Sequence, residues 1–303
     1  RKEDKIMVGK QERRYQRMIT VVLALISLIM VIPLVLLVVA SFTSNNEIVL
    51  HGYSFFPKEL SLEAYRYIWH ERAQVFHAYG ITILVTAIGT TIGVMMTLLY
   101  AYVLAHEKFP GKTFLAFYLF FTMLFNGGLV PTYIMYTRYL HMKNTIPALI
   151  IPGLLMSAFN VILTRTYIQS NVPAALSEAA KIDGATEFQV FRKVVLPMCK
   201  PIIATVGLFA GLGYWNDWTN GLYYITDTNK FSIQQLLNNM IKNIEFLSKN
   251  ANSNINLASV GGGIPQETVR MAIAIVGLLP ILIVFPFVQK YFVKGISIGA
   301  VKG

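Results

Sequence analysis

Charge and cysteine are both scarce in this chain of 303 residues: 14% of the residues are Asp, Glu, Lys or Arg, and Cys199 is the single thiol. Average soluble domains carry about 25% charged residues. Because so little charge cannot cover a folded chain of this size, and 55% of the residues are apolar, we expect much of the surface to face lipid. One cysteine excludes a disulfide framework and any multi-cysteine metal or iron–sulfur site.

Patterns typical of catalytic and nucleotide-binding sites are also missing. The five histidines are scattered, and no His-x-x-x-His or Glu-x-x-His pair occurs, so the sequence predicts no metal site. A P-loop requires a glycine five residues before Gly-Lys-Ser/Thr. The one candidate, at 111–113, has His106 at that position. We therefore expect no catalytic residue and no cofactor in this chain, and energy must come from another subunit or from an ion gradient.

Six apolar and largely uncharged runs are long enough to cross a bilayer, which takes about 20 residues in a helix. They lie at 18–40, 78–105, 113–137, 144–164, 201–225 and 271–289, and Asp217 interrupts the fifth. Helices are expected because they satisfy their own backbone hydrogen bonds in lipid. The sequence therefore predicts an all-α, polytopic membrane protein with a transmembrane domain at 18–293.

The distribution of basic residues indicates how these helices are oriented. Of the 26 Lys and Arg residues, 17 fall in the two tails and the loops at 106–112 and 165–200, and nine fall in the other loops. Cytoplasmic loops carry the excess of Lys and Arg. We therefore expect a basic tail at 1–17 and a short tail at 294–303, both in the cytoplasm. The net charge of +11 then requires no nucleic-acid partner.

The cytoplasmic loop at 171–197 predicts two short helices joined by a turn. Residues 174–182 are strong helix formers, and Gly184 can adopt the positive φ that ends such a helix. Thr186 and Gln189 have the spacing of a capping box that begins a second helix. The two helices are expected to expose Leu176, Ala179, Ala180, Phe188 and Phe191. Such a face could be a docking surface for another protein or the apolar face of a helix that lies in the membrane interface. The residues alone favour neither alternative.

The same loop resembles the EAA motif of ABC importer permeases. Glu-Ala-Ala at 178–180 is followed by Gly184 and then by Leu-Pro at 196–197, which matches every fixed position of that motif. The resemblance implies a type I ABC importer permease fold, with a cytoplasmic coupling helix between the fourth and fifth spans. It also implies that ATPase subunits dock on a set of coupling residues, namely Glu178, Ala179, Ala180, Asp183, Gly184, Leu196 and Pro197.

Three further stretches, at 125–131, 214–218 and 295–303, look like carbohydrate importer permeases, above all those for complex oligosaccharides and polysaccharides. The last also resembles the C-terminus of the smaller permease of maltose importers. The resemblance implies half of a translocation pathway in the bacterial cytoplasmic (inner or plasma) membrane, completed by a homologous second permease. It further implies two ATPase subunits that bind ATP and Mg, and an extracellular binding protein that delivers the sugar. By analogy with maltose importers, loop 226–270 contacts that binding protein or the pore mouth.

Polar residues inside the predicted spans are candidates for the substrate pathway, because sugars need hydrogen bonds for their hydroxyls and aromatic rings for their C–H faces. These candidates are Asn126, Asn160, Tyr214, Trp215, Asn216 and Asp217. An interfacial belt of aromatic residues explains Trp218 and Tyr223 better than a pathway does. A packing kink explains the Asn-Gly-Gly at 126–128 equally well.

Two other functions fit parts of the pattern. An ABC permease for a non-sugar solute would share the loop at 171–197 but not the aromatic stretch at 214–218. An ion-coupled secondary transporter would need a relay of carboxylates within the membrane, and Asp217 is the one acid inside a predicted span. The sequence therefore favours the ATP-driven sugar permease.

Overall fold

The computed structural model describes residues 10–106, 109–250 and 266–300, with side chains over 14–106, 109–246 and 266–286 and at residue 289. Within these ranges every regular element is a helix, apart from an isolated bridge between Thr43 and Leu60. The prediction of an all-α protein is therefore confirmed. The chain divides into two compact units, one of 1–71 with 241–276 and one of 72–240 with 277–303.

The helices are numbered here in chain order. They are α1 (Lys10–Ser41), α2 (Asn45–His51), α3 (Glu63–His70), α4 (Arg72–Ala105), α5 (Lys112–Leu124), α6 (Leu129–Ile134), α7 (Pro147–Ile150), α8 (Ala158–Asn171), α9 (Ala174–Ile182), α10 (Glu187–Val190), α11 (Leu196–Met198), α12 (Lys200–Asn216), α13 (Thr219–Tyr224), α14 (Ile233–Asn250) and α15 (Gln266–Ala300). Wide π-helical turns at Met135–Tyr139 and Phe191–Val195 continue α6 and α10, and a tighter 3-10 turn covers Thr228–Lys230.

Three of the described helices are long and apolar enough to span a membrane singly: Arg14–Ser41, Arg72–Ala105 and Gln266–Pro286. They coincide with the first, second and sixth predicted spans. Two bent pairs raise the number to at most five, namely Lys112–Leu124 with Leu129–Tyr139 at 114° and Glu187–Met198 with Lys200–Asn216 at 81°. The count of six spans therefore stays a prediction.

The predicted fourth span, 144–164, is not one continuous helix. α7 ends at Ile150, and residues 151–157 form an irregular turn before α8 begins. Pro152 has no backbone N–H to donate, and Gly153 has a φ of +73°, which no α-helix contains. Residues 144–164 are largely apolar and uncharged throughout, which predicts one helix, but Pro152 and Gly153 break that helix.

In the first unit, α1 is apolar and its most apolar stretch is entirely unburied. The segment that follows folds on itself. The Glu47 carboxylate accepts hydrogen bonds from the backbone N–H groups of Lys58 and Glu59, each at 2.6 Å. The Phe42 ring stacks on Tyr65 with the ring centres 4.8 Å apart. These contacts tie residues 42–65 into a compact structure that needs no large core.

In the second unit, α4 packs against α8 and α12. The glycine pairs at 89/93 and 207/211 have the spacing that predicts close helix crossings. The Tyr214 ring of α12 occupies the space that a side chain at Gly89 would need, and the Leu155 carbonyl oxygen would lie 2.6 Å from a Cβ at Gly93. Gly211 lies against Thr90. α4 and α12 therefore approach each other closely at these glycines.

A buried apolar cluster joins the C-terminal end of α4 to α8, α12 and the loop at 171–197. Its members include Leu98, Leu104, Val161, Ile168, Val190, Phe191, Val195 and Val206. Three of these belong to α10 and the wide turn after it. The second half of the loop is therefore part of the folded core, whereas α9 in the first half buries none of its side chains.

Candidate functional site

α9 is the exposed helix of the loop at 171–197. It buries none of its side chains. Its end is a Schellman motif, in which the N–H of Ala185 donates to the Ala180 carbonyl at 2.9 Å and the N–H of Gly184 donates to the Lys181 carbonyl at 3.0 Å. Gly184 has a φ of +84°. The helix stop predicted at this glycine is therefore confirmed.

The predicted coupling residues fall into two groups. Four of them share an exposed position on α9 or in the turn that ends it: Glu178, Ala179, Asp183 and Gly184. Ala180 and Leu196 pack against the buried cluster, and Pro197 is exposed in α11. The first group is open to a partner, and Ala180 and Leu196 connect the loop to the core.

The capping box predicted at the start of α10 is present. Thr186 Oγ1 accepts a hydrogen bond from the N–H of Gln189 at 3.3 Å, and Gln189 Oε1 accepts one from the N–H of Thr186 at 2.8 Å. These two bonds satisfy backbone donors that a helix start leaves unpaired. The turn between α9 and α10 is therefore fixed from both sides, by the Schellman motif before it and by the box after it.

The expectation that Phe191 is exposed is wrong. Its side chain is 5% exposed, and its ring centre lies 5.2 Å from that of Tyr102. Phe191 begins a π-helical turn, which contains more residues per turn than an α-helix. Side chains in such a turn do not follow α-helical periodicity. Phe188, which precedes the turn, is 66% exposed as expected.

Glu187 makes contacts that no sequence motif indicated. Its Oε2 accepts a hydrogen bond from the Tyr102 hydroxyl at 2.8 Å and lies 3.9 Å from Nε2 of His106. Its Oε1 pairs with the ammonium group of Lys181. Tyr102 and Glu187 are 85 residues apart in the chain. Because only the folded chain brings α4 beside α10, residue spacing could not have revealed this cluster.

The pKa of Glu187 is held below its ordinary value of 4.5, chiefly by the hydrogen bond from Lys181, with further lowering by the Tyr102 hydroxyl. Partial burial opposes this effect. A lowered pKa means that the carboxylate keeps its charge until the pH falls below 4.5. Glu187 therefore carries its negative charge throughout the neutral range.

Asp217 and Asn216 lie where α12 ends. Asp217 Oδ1 accepts hydrogen bonds from the backbone N–H groups of Thr219 and Asn220 at 3.0 and 3.2 Å, so its carboxylate caps α13. The helix over the first part of the fifth predicted span thus ends at Asn216, one residue before Asp217. Asn216 is exposed, and its Nδ2 donates to the Leu212 carbonyl of its own helix at 3.0 Å. Whether either side chain contacts a substrate stays a prediction.

Tyr214 and Trp215 have packing partners within the second unit. Tyr214 is 2% exposed and donates its hydroxyl to the Ile150 carbonyl at 3.0 Å. Trp215 Nε1 donates to the Gly277 carbonyl at 3.4 Å. Trp215 also lines an apolar groove of about 460 Å³ between α4, α12 and α15. These contacts account for the positions of both side chains without a substrate.

Asn126 lies at a sharp break between α5 and α6. Its Oδ1 accepts a hydrogen bond from the N–H of Gly128 at 2.9 Å. Gly128 has a φ of +83°, and the two helical segments meet at 114°. The break that Asn-Gly-Gly predicts in this apolar run is therefore confirmed, and Asn126 is exposed at it.

Asn160 lies in a cavity of about 430 Å³. The walls come from α4, the turn at 153–157, α8 and α12. Three polar side chains and two aromatic rings are among the groups that line it, namely Thr97, Ser157, Asn160, Phe159 and Phe209. Hydroxyl and amide groups beside aromatic rings are the combination that sugar-binding sites use.

The family model of binding-protein-dependent transport system inner membrane components matches residues 89–298. The chain belongs to this family. The matched region includes the loop at 171–197, the cavity around Asn160 and the α4–α12 crossing. As an inner membrane component of a transport system, this permease is embedded in a membrane.

Relatives of this permease match it along nearly its whole length. The polygalacturonan/rhamnogalacturonan transport system permease protein YtcP of Bacillus subtilis (strain 168) is 35% identical over 293 residues, which cover 97% of this chain and 100% of the relative. Protein LplC of the same organism is 34% identical over 275 residues, which cover 91% of this chain and 90% of the relative.

The fold of the permease is also similar to a solved structure. That structure is the crystal structure of a bacterial ABC transporter involved in the import of the acidic polysaccharide alginate. The two chains superpose with a TM-score of 0.74 at 28% sequence identity, over 94% of this chain and 98% of the other. The fold expected from the EAA motif is therefore confirmed.

Proposed function

We propose that this permease forms half of the translocation pathway of an ATP-driven importer for an oligosaccharide or polysaccharide fragment. The observation that carries the proposal is the full-length similarity to YtcP and to the alginate importer. A homologous second permease completes the pathway, and an extracellular binding protein delivers the sugar. Two cytoplasmic ATPase subunits bind ATP and Mg, so this chain itself is not an enzyme.

The exposed face of α9 is the docking surface for one ATPase subunit. Glu178 and Asp183 offer carboxylates there, while Ala179 and Gly184 are small enough to let another backbone approach closely. α9 buries none of its side chains, and the exposed part of its surface is open to a partner. The membership of the chain in a transport family supports docking over the alternative of an interfacial helix.

The orientation follows from the charges. The 17-to-9 bias of Lys and Arg supports an orientation with α9 and both tails in the cytoplasm. In that orientation the Asn144 region, the end of α12 and the turn at Thr228–Lys230 are external. The ATPases then reach α9 from inside, and the binding protein reaches the opposite face.

The cavity around Asn160 is the part of the pathway that this subunit provides. Asn160, Ser157 and Thr97 can exchange hydrogen bonds with sugar hydroxyls, and the rings of Phe159 and Phe209 can cover C–H faces. Asn126 and Asn216 are exposed polar groups that would meet the sugar outside this cavity. Asp217 contributes less, because its carboxylate is already engaged as a helix cap.

The sugar that we propose carries carboxylates. One relative is named for polygalacturonan and rhamnogalacturonan, and the structural neighbour imports an acidic polysaccharide. No Asp or Glu occurs between Glu107 and Glu178 of this chain. Within that acid-free stretch, the side chains of Arg138, His141 and Lys143 are exposed together in one external loop. A surface with this charge attracts a polyanionic chain.

Reconstitution of the complete importer in proteoliposomes tests the proposal. We expect ATP-dependent uptake of short oligogalacturonides and far less uptake of neutral maltooligosaccharides of equal length. Preference for the neutral sugars would contradict the acidic substrate. Uptake that follows an imposed proton gradient without ATP would support the ion-coupled alternative, and uptake of neither sugar would support a non-sugar solute.

A further inference from the structure

The coupling helix α9 needs a connection that its own packing does not supply. None of its side chains is buried, so apolar contacts fix its position only weakly. Its C-terminal turn is held by the backbone bonds of Gly184 and Ala185. Beyond that turn, a polar contact reaches from α9 to the core, because the Lys181 ammonium pairs with Glu187.

The two carboxylate oxygens of Glu187 contact two different helices. Oε1 pairs with Lys181 on α9, whereas Oε2 accepts the hydrogen bond from Tyr102 on α4 at 2.8 Å. Tyr102 is 9% exposed, and its ring packs against Phe191 and His106. A hydrogen bond to an ionised acceptor is about twice as strong as one between neutral groups. Glu187 therefore joins the exposed coupling helix to a well-anchored side chain of α4.

α4 connects Tyr102 to the cavity around Asn160. α4 is continuous over Arg72–Ala105, so a displacement applied at Tyr102 is carried along the helix. Thr97 and Gly93, which line the cavity with Asn160, lie within about 14 Å of Tyr102 along the axis at 1.5 Å per residue. A displaced α4 would therefore move one wall of the proposed sugar pathway.

We propose that Glu187 is a positioning residue that makes α9 and the end of α4 move as one body. A shift of α9 by the docked ATPase then reaches the cavity through Lys181, Glu187 and Tyr102. This inference rests on the proposed function, because it assigns Glu187 a part in ATP-driven transport. It adds a residue that lies outside the Glu-Ala-Ala, Gly and Leu-Pro positions of the EAA motif.

Distance measurements between two spin labels test the connection directly. In the assembled importer, labels replace Ile182 on α9, which is 86% exposed, and Leu99 on α4, which is 42% exposed. Cys199 is fully buried and should remain unlabelled. We expect a narrow distance distribution that is the same without nucleotide and with ATP trapped by vanadate. Glu187→Gln and Tyr102→Phe should broaden this distribution and make it depend on nucleotide.

The matched control is Arg192→Gln, an exposed position in the same loop, which should leave the distances unchanged. A distribution that stays narrow in both Glu187→Gln and Tyr102→Phe overturns the proposal. This measurement requires no sugar. It therefore decides the role of Glu187 even if the uptake experiment shows that the substrate, and with it the proposed function, is wrong.

The ratio of ATP hydrolysed to oligogalacturonide transported gives a second readout. We expect Glu187→Gln and Tyr102→Phe each to raise this ratio about tenfold, the factor that loss of one charge-assisted hydrogen bond produces. In the double variant this ratio should be no higher than in the more affected single variant, because both substitutions act through the carboxylate of Glu187. A merely structural role would reduce the amount of assembled importer and leave the ratio unchanged, which would overturn the proposal.

Discussion

The ring of Tyr214 on α12 lies against Gly89 on α4, in the space that a side chain at residue 89 would need. The Tyr214 hydroxyl also donates to the carbonyl of Ile150 at 3.0 Å. One aromatic ring therefore holds together three segments that are distant in the sequence. The cavity around Asn160 lies between the same two helices, so its shape depends on this contact.

Replacing Gly89 by alanine should destabilise the permease, because the added methyl group overlaps the Tyr214 ring and neither helix can yield without disturbing the Ile150 bond. We expect a loss of about 1–3 kcal/mol, the usual cost of overpacking. Thermal unfolding of the purified importer in detergent measures it. Gly80 on the same helix is the matched control, since a Cβ there meets nothing within 4 Å. Equal unfolding temperatures for Gly89→Ala and Gly80→Ala would show that the contact is loose.

The Gly89 contact shows how far the sequence could predict the fold. The spacing of Gly89 and Gly93 indicated a close helix crossing, because small residues four apart lie on one helix face. The sequence could not show that Tyr214 fills that space, so Tyr214 stood among the candidates for the substrate pathway. A buried tyrosine and one beside a sugar have the same local sequence, and only the position of the partner helix distinguishes them.

Asn160→Leu should weaken sugar uptake without harming assembly, because the leucine fits the cavity but cannot form hydrogen bonds with a hydroxyl. Loss of one neutral hydrogen bond predicts a reduction of about two- to tenfold. Initial rates of oligogalacturonide uptake over a range of concentrations measure the effect. Thr166→Val on the same helix is the control, since the Thr166 hydroxyl is exposed and bonds only to the Ile162 carbonyl of its own helix. Uptake that is equally affected by both changes would argue against a pathway at Asn160.

Asp217 offers a test that separates a helix cap from a substrate ligand. Asn retains an oxygen that can accept from Thr219 and Asn220, so we expect Asp217→Asn to keep both stability and uptake near wild type. Asp217→Ala removes the cap and should cost about 1 kcal/mol of stability. Unfolding temperature and uptake should be measured on both variants. If Asp217→Asn abolishes uptake while the protein remains stable, the charge itself serves transport and the cap is a secondary role.

The loop at 171–197 was the part of the candidate site best predicted from sequence, because its signals are local. Gly184 and the Thr186–Gln189 pair act within a few residues of the structures that they produce. Phe191 was wrongly expected to be exposed, because a π-helical turn has no clear local sequence signal and depends on the buried cluster that Phe191 joins. Glu187 was missed, because its partner Tyr102 is on a helix 85 residues earlier. Local turn chemistry was thus predictable, and contacts between distant segments were not.

ATP-driven transport is expected to depend on α9, and uptake by two variants of Gly184 measures this dependence. Gly184→Asn keeps a small residue that tolerates a positive φ, so the assembled importer should retain most of its ATP-dependent oligogalacturonide uptake. Gly184→Trp places a large side chain on the docking face and should abolish uptake while the permease stays inserted in the membrane. Undiminished ATP-dependent uptake by Gly184→Trp would show that α9 is not the docking surface for the ATPase.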